Sequence, residues 1–175
     1  MGKITRAKPV KLIVSFIFKE EKFFKKSKII LTRYFGELDF ESYSLPFEFT
    51  DYYNEEMGSD LKKVFVSFKK LILPEQLPRI KRLTNKIEDK LSRKKKRQVN
   101  IDPGYLDQAK LVLASTKNYV HRVYLNDGIY AELTLFFQDK SFQPWQWTYP
   151  DYRTPEYIGI FNHIRELFAD QVKSV

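Results

Sequence analysis

His121 and His163 are the only histidines in the 175 residues, and cysteine is absent. Thiolate metal sites, zinc centres built on several histidines, disulfides and a cysteine nucleophile are therefore excluded. Acid–base chemistry falls to one histidine or to carboxylates. His121 stands just before a hairpin signal, Asn126-Asp127-Gly128, between the extended stretches Tyr119–Leu125 and Ile129–Phe137. With a two-residue Asp127-Gly128 turn, Val123 pairs with Glu132 and His121 with Thr134. His121 then lies diagonal to Glu132, as an acid/base histidine oriented by a carboxylate would. With all three residues in the loop, Arg122 sits opposite Glu132 and makes an ordinary cross-strand ion pair. Lys110 and Lys117, two turns apart on a preceding helix, would face this surface. His163 has no evident partner and reads as structural.

Four further clusters could act on a ligand. Thr50–Gly58 puts Asp51, Glu55 and Glu56 beside Tyr52 and Tyr53 in a long connection, suited to a hard cation or a basic group. Its plainer meaning is an acidic turn with tyrosine anchors. Asn100–Tyr105 places Asp102 as the N-cap of a helix with Pro103 in the first turn and Tyr105 beyond it. A phosphate at that helix start would compete with the capping carboxylate. Trp147, Tyr149, Asp151, Tyr152 and Arg153 offer rings to stack on a base or sugar and a guanidinium for a phosphate, or else a lid over the core. Arg79, Arg82, Lys86, Lys90 and Arg93 recur at helical spacing and run into Lys94–Arg97. Such a ridge suits a phosphate backbone, although solvated stems covering apolar surface are the commoner use.

The elements that must position these residues follow from periodicity. Val10–Phe18 is apolar at nearly every position, a strand buried on both faces. Glu20–Phe35 turns helical and Gly36 ends it. Leu38 and Phe40 mark a strand, and Lys62–Lys70 alternates as another. Pro74-Glu75 opens a helix buried at Ile80, Leu83, Ile87 and Leu91. Gln98–Ile101 is a short strand, followed by the helix from Asp102 with Leu106, Ala109 and Leu113 inward, although Leu111–Ala114 also reads as strand. After the hairpin, Thr154 caps a last helix buried at Ile158, Phe161, Phe168 and Val172. The fold class is α+β, helices packed on a mainly antiparallel sheet in a single domain, with residues 10–93 and 98–173 expected as two ferredoxin-like β-α-β-β-α halves.

Composition narrows the partners. The chain is 43% hydrophobic and 16% aromatic, which excludes disorder. Lys+Arg 31 against Asp+Glu 22 raises nucleotide or RNA partners. No apolar run approaches a membrane span and no signal-peptide core follows the N-terminus, so a soluble cytoplasmic protein without membrane association is expected. There is no G-x-x-x-x-G-K-[ST] loop, and Asn85-Lys86-Ile87-Glu88 lacks the Asp of a guanine-reading motif. No cofactor or metal is specified.

The blocks Asp51–Gly58, Asn100–Tyr105, His121–Leu125 with Gly128–Glu132, and Trp147–Arg153 together resemble a bacterial and thermophile protein family known only as a domain of unknown function. The resemblance spans almost the whole chain and implies no established activity. Some members carry the label "GTP-binding protein", which the missing motifs do not support. The doubled β-α-β-β-α order is similar to that of two-histidine phosphodiesterases, but His121-Arg122-Val123 is not their His-x-Thr/Ser motif. The functional expectation is a polar cleft for a phosphorylated ligand, a nucleotide or RNA end. His121 would be acid/base, Glu132 its orienter, Lys117, Arg122 and Arg153 the phosphate contacts, and Tyr149 and Tyr152 the stacking rings, with phosphoester hydrolysis or transfer as the reaction. Two alternatives are an RNA-binding module using the basic ridge and a structural or adaptor protein.

Overall fold

Every residue of Lys11–Phe18 (β1) is buried, because helices cover both faces of the sheet at its centre. The computed structural model describes residues 2–173. Leu12, Val14, Phe16 and Phe18 pack on Phe23, Phe24 and Leu31 of α1 (Glu21–Phe35) and on Ile80 and Ile87 of α3 (Leu77–Leu91). On the opposite face, Ile13 packs with Phe161, Ile164 and Phe168 of α4 (Pro155–Lys173). Even Lys11 is fully buried, which its bonds to Asp39 (2.5 Å), Gln171 Oε1 (2.5 Å) and the Phe68 carbonyl (3.3 Å) make tolerable.

The other elements are β2 (Leu38–Glu41), β3 (Leu45–Phe47), a short α2 (Asn54–Met57), β4 (Leu61–Phe68), β5 (Val99–Leu106), β6 (Lys110–Ser115), β7 (Arg122–Asn126), β8 (Ile129–Gln138) and β9 (Ser141–Pro144). Together with β1 they form one nine-stranded sheet in the order β2-β4-β1-β5-β6-β8-β7, with β3 on β4 and β9 on β8. The α+β class with an antiparallel sheet is what the sequence predicts. Gly36 ends α1 at φ 86°, its N–H returning to the Thr32 carbonyl at 2.9 Å. Thr154 caps α4, its Oγ1 accepting the Tyr157 N–H at 3.3 Å. The inward stripe of α4 is Tyr157, Ile160, Phe161, Ile164 and Phe168, whereas Ile158 is half-buried and Val172 exposed.

The second half departs from the β-α-β-β-α expectation. Residues 99–144 form five strands with no helix among them, and only a short 3-10 turn, Pro150–Arg153, lies between β9 and α4. Asp102 is not an N-cap: it lies within β5, and its carboxylate receives the Lys81 ammonium at 2.8 Å. The apolar spacing of Leu106 and Leu113 belongs to two strands, not to one helix face. Asp107 turns the chain between them, its Oδ1 accepting the N–H groups of Ala109 (2.8 Å) and Lys110 (2.9 Å).

Candidate functional site

The sheet forks between β5 and β6. β5 pairs with β1 along its whole length, from Lys11–Leu106 to Phe18–Val99. It pairs with β6 only at Gly104–Leu106 against Leu111–Leu113. Beyond Leu113, β6 stays with β8 while Val99–Pro103 stays with β1, so the two halves of the sheet part. The sequence at the branch suits this. Pro103 has no N–H for a ladder, and a Cβ on Gly104 would lie 2.5 Å from the Val112 carbonyl oxygen and 2.7 Å from Leu113 Cδ2. The Asp-Pro-Gly run is thus the crotch of the fork.

A cavity of about 730 Å³ opens at this end of the sheet, within the range of small-molecule sites. One wall is α3 and β5. Lys81 bridges the Ile101 carbonyl (3.2 Å) and Asp102 (2.8 Å), and Asn100 Nδ2 donates to the second Asp102 oxygen at 2.5 Å. Glu88 is buried beside them, its Oε1 accepting the Ile101 N–H at 2.6 Å. Burial pushes the Glu88 carboxyl up to about 7, with Asp102 adding to the rise and Lys81 opposing it. Burial pushes Asp102 up as well, but the Lys81 ammonium and its hydrogen bond, with that of Asn100, outweigh it and hold the group below the ordinary carboxylate range. Arg97 closes this wall, with Nε 2.6 Å from Glu56 and Nη1 3.0 Å from Asn100 Oδ1.

The opposite wall is the hairpin β7–β8. Arg122 and Glu132 are both buried and meet at 2.7 Å. Arg122 also donates to Ser115 Oγ (2.8 Å), the Lys117 carbonyl (3.0 Å) and the Tyr149 hydroxyl (2.8 Å), so every guanidinium nitrogen is engaged. Glu132 Oε1 is buried with no partner. Between the walls, Lys63 is buried against Asp151 at 2.6 Å, with its ammonium 4.4 Å from the Tyr152 ring centroid and 5.2 Å from Phe47 and Phe65. The rim is aromatic: Phe49, Tyr52, Tyr119 and Tyr149 line the cavity and are exposed. Lys117 lies there too, 4.1 Å from the Tyr52 centroid, and among the described residues no carboxylate lies within 4 Å of its ammonium.

Residues 8–168 match the family described as "Domain of unknown function (DUF4416)". The chain belongs to that family. The match takes in every cleft segment, from the Phe49–Tyr53 loop to Tyr152. No curated protein and no solved structure matches the chain.

In this DUF4416 chain all four segments singled out in the sequence reach the cavity, though not every residue of them does. Tyr52, Tyr53, Asp102, Lys117, Arg122, Glu132, Tyr149, Asp151 and Tyr152 line it. Asp51, Glu56, Tyr105, His121, Trp147 and Arg153 are outside its lining. Asp51 accepts from Asn54 Nδ2 at 2.7 Å within its own turn, and Glu56 is spent on Arg97. Tyr105 packs on the core. Arg153 holds its own loop through the carbonyls of Thr148 (2.7 Å) and Gln146 (2.6 Å). Tyr152 is only 3% exposed and stacked on Phe161, so it offers no free face for a base.

The hairpin resolves its two registers in an unexpected way. Asp127-Gly128 is a two-residue turn flanked by Asn126–Ile129, yet a bulge at Leu125 shifts the ladder so that Arg122 opposes Glu132. His121 still touches Glu132, with Nε2 3.3 Å from Oε2, but it is stacked between Tyr119 and Trp147 and away from the cavity. Sequence reasoning missed Lys63, Lys81, Asn85, Glu88 and Arg97. Lys63 lies on the phase opposite to Val64, Val66 and Phe68, and Lys81 lies off the Ile80–Leu83–Ile87–Leu91 stripe, so local periodicity marked both as solvent-facing. The chain carries no grouping of three His, Cys, Asp or Glu side chains fit for a metal ion among the described residues. Among them, no helix is long and apolar enough to cross a membrane.

Proposed function

We propose that the cleft binds a small phosphorylated ligand with a flat ring, a nucleotide or the end of an RNA. The observation that carries the reading is Lys117. The ammonium groups of Lys63 and Lys81 are each held by a cleft carboxylate, and the guanidinium of Arg97 by Glu56, whereas Lys117 stands on the rim with no carboxylate beside it. A phosphate would supply its missing counter-charge. Tyr149, exposed on the same rim, provides a ring face of the kind a base or sugar stacks on. The unpartnered Glu132 Oε1 adds an acceptor for a ligand N–H or O–H.

The reading is one of binding. Phosphoester hydrolysis through His121 draws no support from its place outside the cavity lining. A nucleotide ligand makes the cytoplasm the working compartment in this reading. Titration calorimetry with nucleoside mono- and triphosphates tests it. Lys117→Ala is expected to weaken binding by roughly tenfold or more, the loss of one charge-assisted contact, without changing the melting temperature. Failure of every nucleotide to bind the wild-type protein would refute it.

A further inference from the structure

The helix that walls the cleft carries a second feature on another of its sides. Arg79, Arg82, Lys86, Lys90 and Arg93 are all exposed, the first four on α3 and Arg93 just past its end. At 1.5 Å per residue the row is about 20 Å long. Arg82 pairs with Asp127 at 2.8 Å, and Arg93 lies 5.0 Å from the Phe23 ring. Among the described residues, Arg79, Lys86 and Lys90 have no carboxylate within 4 Å.

The ends of this row touch the other cleft walls. Asp127 belongs to the turn of the β7–β8 hairpin, which brings in Arg122 and Glu132. Past the other end, Lys96 donates to the Glu55 carbonyl at 3.1 Å and Arg97 pairs with Glu56, both in the segment that follows Tyr52 and Tyr53. The row therefore spans the outside of α3 from one flank of the cleft to the other. The charge is distributed in the same sense. Residues 1–100 hold 24 Lys+Arg and 13 Asp+Glu, while residues 101–175 hold 7 and 9.

A mononucleotide filling the cleft would leave this row unused, whereas a strand leaving the cleft would meet it within one turn of helix. Resting on the reading of the cleft above, we infer that the ligand is the end of a single-stranded nucleic acid. The terminal nucleotide occupies the cleft at Lys117, and the following phosphates run along Arg79, Lys86 and Lys90. Asp89, exposed and lining the cavity between Lys86 and Lys90 in sequence, opposes the passing backbone and keeps the track from binding nucleic acid indiscriminately.

Fluorescence anisotropy with labelled pentanucleotides, in competition with the matching mononucleotides, tests this over a salt series. Ribo- and deoxyribo-strands, each with a 5′-phosphate, a 3′-phosphate or neither, identify which end and which sugar is taken. The pentanucleotide is expected to bind roughly tenfold or more tighter than the mononucleotide, with affinity falling steeply in salt. Combining Arg79→Gln, Lys86→Gln and Lys90→Gln should abolish that advantage and cut the log–log salt slope by roughly 2, at about 0.7 per phosphate contact, leaving mononucleotide binding unchanged. Asp89→Asn should tighten the pentanucleotide more than the mononucleotide.

A pentanucleotide no tighter than the mononucleotide overturns the inference and leaves the cleft reading standing. So does an unchanged salt slope in the triple variant. Strand binding indifferent to Lys117→Ala overturns the placing of the end in the cleft. Binding of anionic vesicles through the same three residues, with no strand binding, makes the row a membrane contact and also overturns it. If neither mononucleotide nor strand binds, inference and reading fall together.

Discussion

The two walls of the cleft hold their carboxylates in opposite ways. On the α3–β5 wall, Asp102 takes the Lys81 ammonium at 2.8 Å, and the nearest cation to the buried Glu88 is Arg97, at 3.8 Å. Glu88 has no cation in hydrogen-bond contact, and burial pushes it up to about 7. On the β7–β8 wall, Glu132 faces a guanidinium that is always charged and fully engaged. The first wall can gain or lose a proton near neutrality, while the second is a rigid clamp. A buried charge is as fixed as the number and geometry of the donors around it.

The largest effect should come from breaking the clamp. Arg122→Ala leaves Glu132 buried without its partner and should cost about 3–5 kcal/mol in urea unfolding. Adding Glu132→Gln should recover most of that, and no recovery would mean that Arg122 acts through Ser115 and Tyr149 instead. The next effect belongs to the titrating wall. Glu88 holds its proton to higher pH in the folded state than in the unfolded chain. Its stabilising contribution is thus complete below about pH 4.5 and is lost as pH rises through about 7. Glu88→Gln cannot ionise, so its stability relative to wild type should climb by about 3 kcal/mol across that window. Parallel stability curves for the two proteins would show both walls to be fixed.

The separation of the walls depends on Gly104. Gly104→Ala drives a Cβ into the Val112 carbonyl and should cost about 1–3 kcal/mol. It should also weaken ligand binding, since the fork must open or twist to admit the methyl group. The smallest effect is expected at His121. Its contact with Glu132 is long and shares an oxygen that Arg122 already holds. His121→Gln should therefore change stability by less than about 1 kcal/mol and leave ligand affinity unchanged. A large loss of affinity would restore the histidine to the site.

Much of this molecule was legible along the chain. The unbroken apolar run of β1, the helical stripe of α1 with Gly36 behind it, the alternation in β4 and the Thr154 cap all rest on local periodicity or local hydrogen bonds. Four of the segments that reach the cleft were legible as well, as clusters of polar and aromatic residues, while its α3 side was not. The second half was misread because Asp-Pro-Gly serves equally as a helix start and as the crotch of a forked sheet. Only the partner of the Asp102 carboxylate distinguishes them, and that partner, Lys81, lies 21 residues away. The hairpin shows the same limit. Asn-Asp-Gly specified the turn correctly, but one bulged residue, Leu125, exchanged the residue opposite Glu132.

By itself, then, the sequence determined the α+β class, most of the elements, the family and four of the segments that line the cleft. Those depend on side-chain patterns within a few residues of one another. The tertiary structure alone decided which charges are buried and with whom: Lys63 with Asp151, Lys81 with Asp102, Arg122 rather than His121 on Glu132. Each pairing joins separate strands, helices or loops, and burial makes it obligatory. No local pattern encodes the distance at which such a partner will be found.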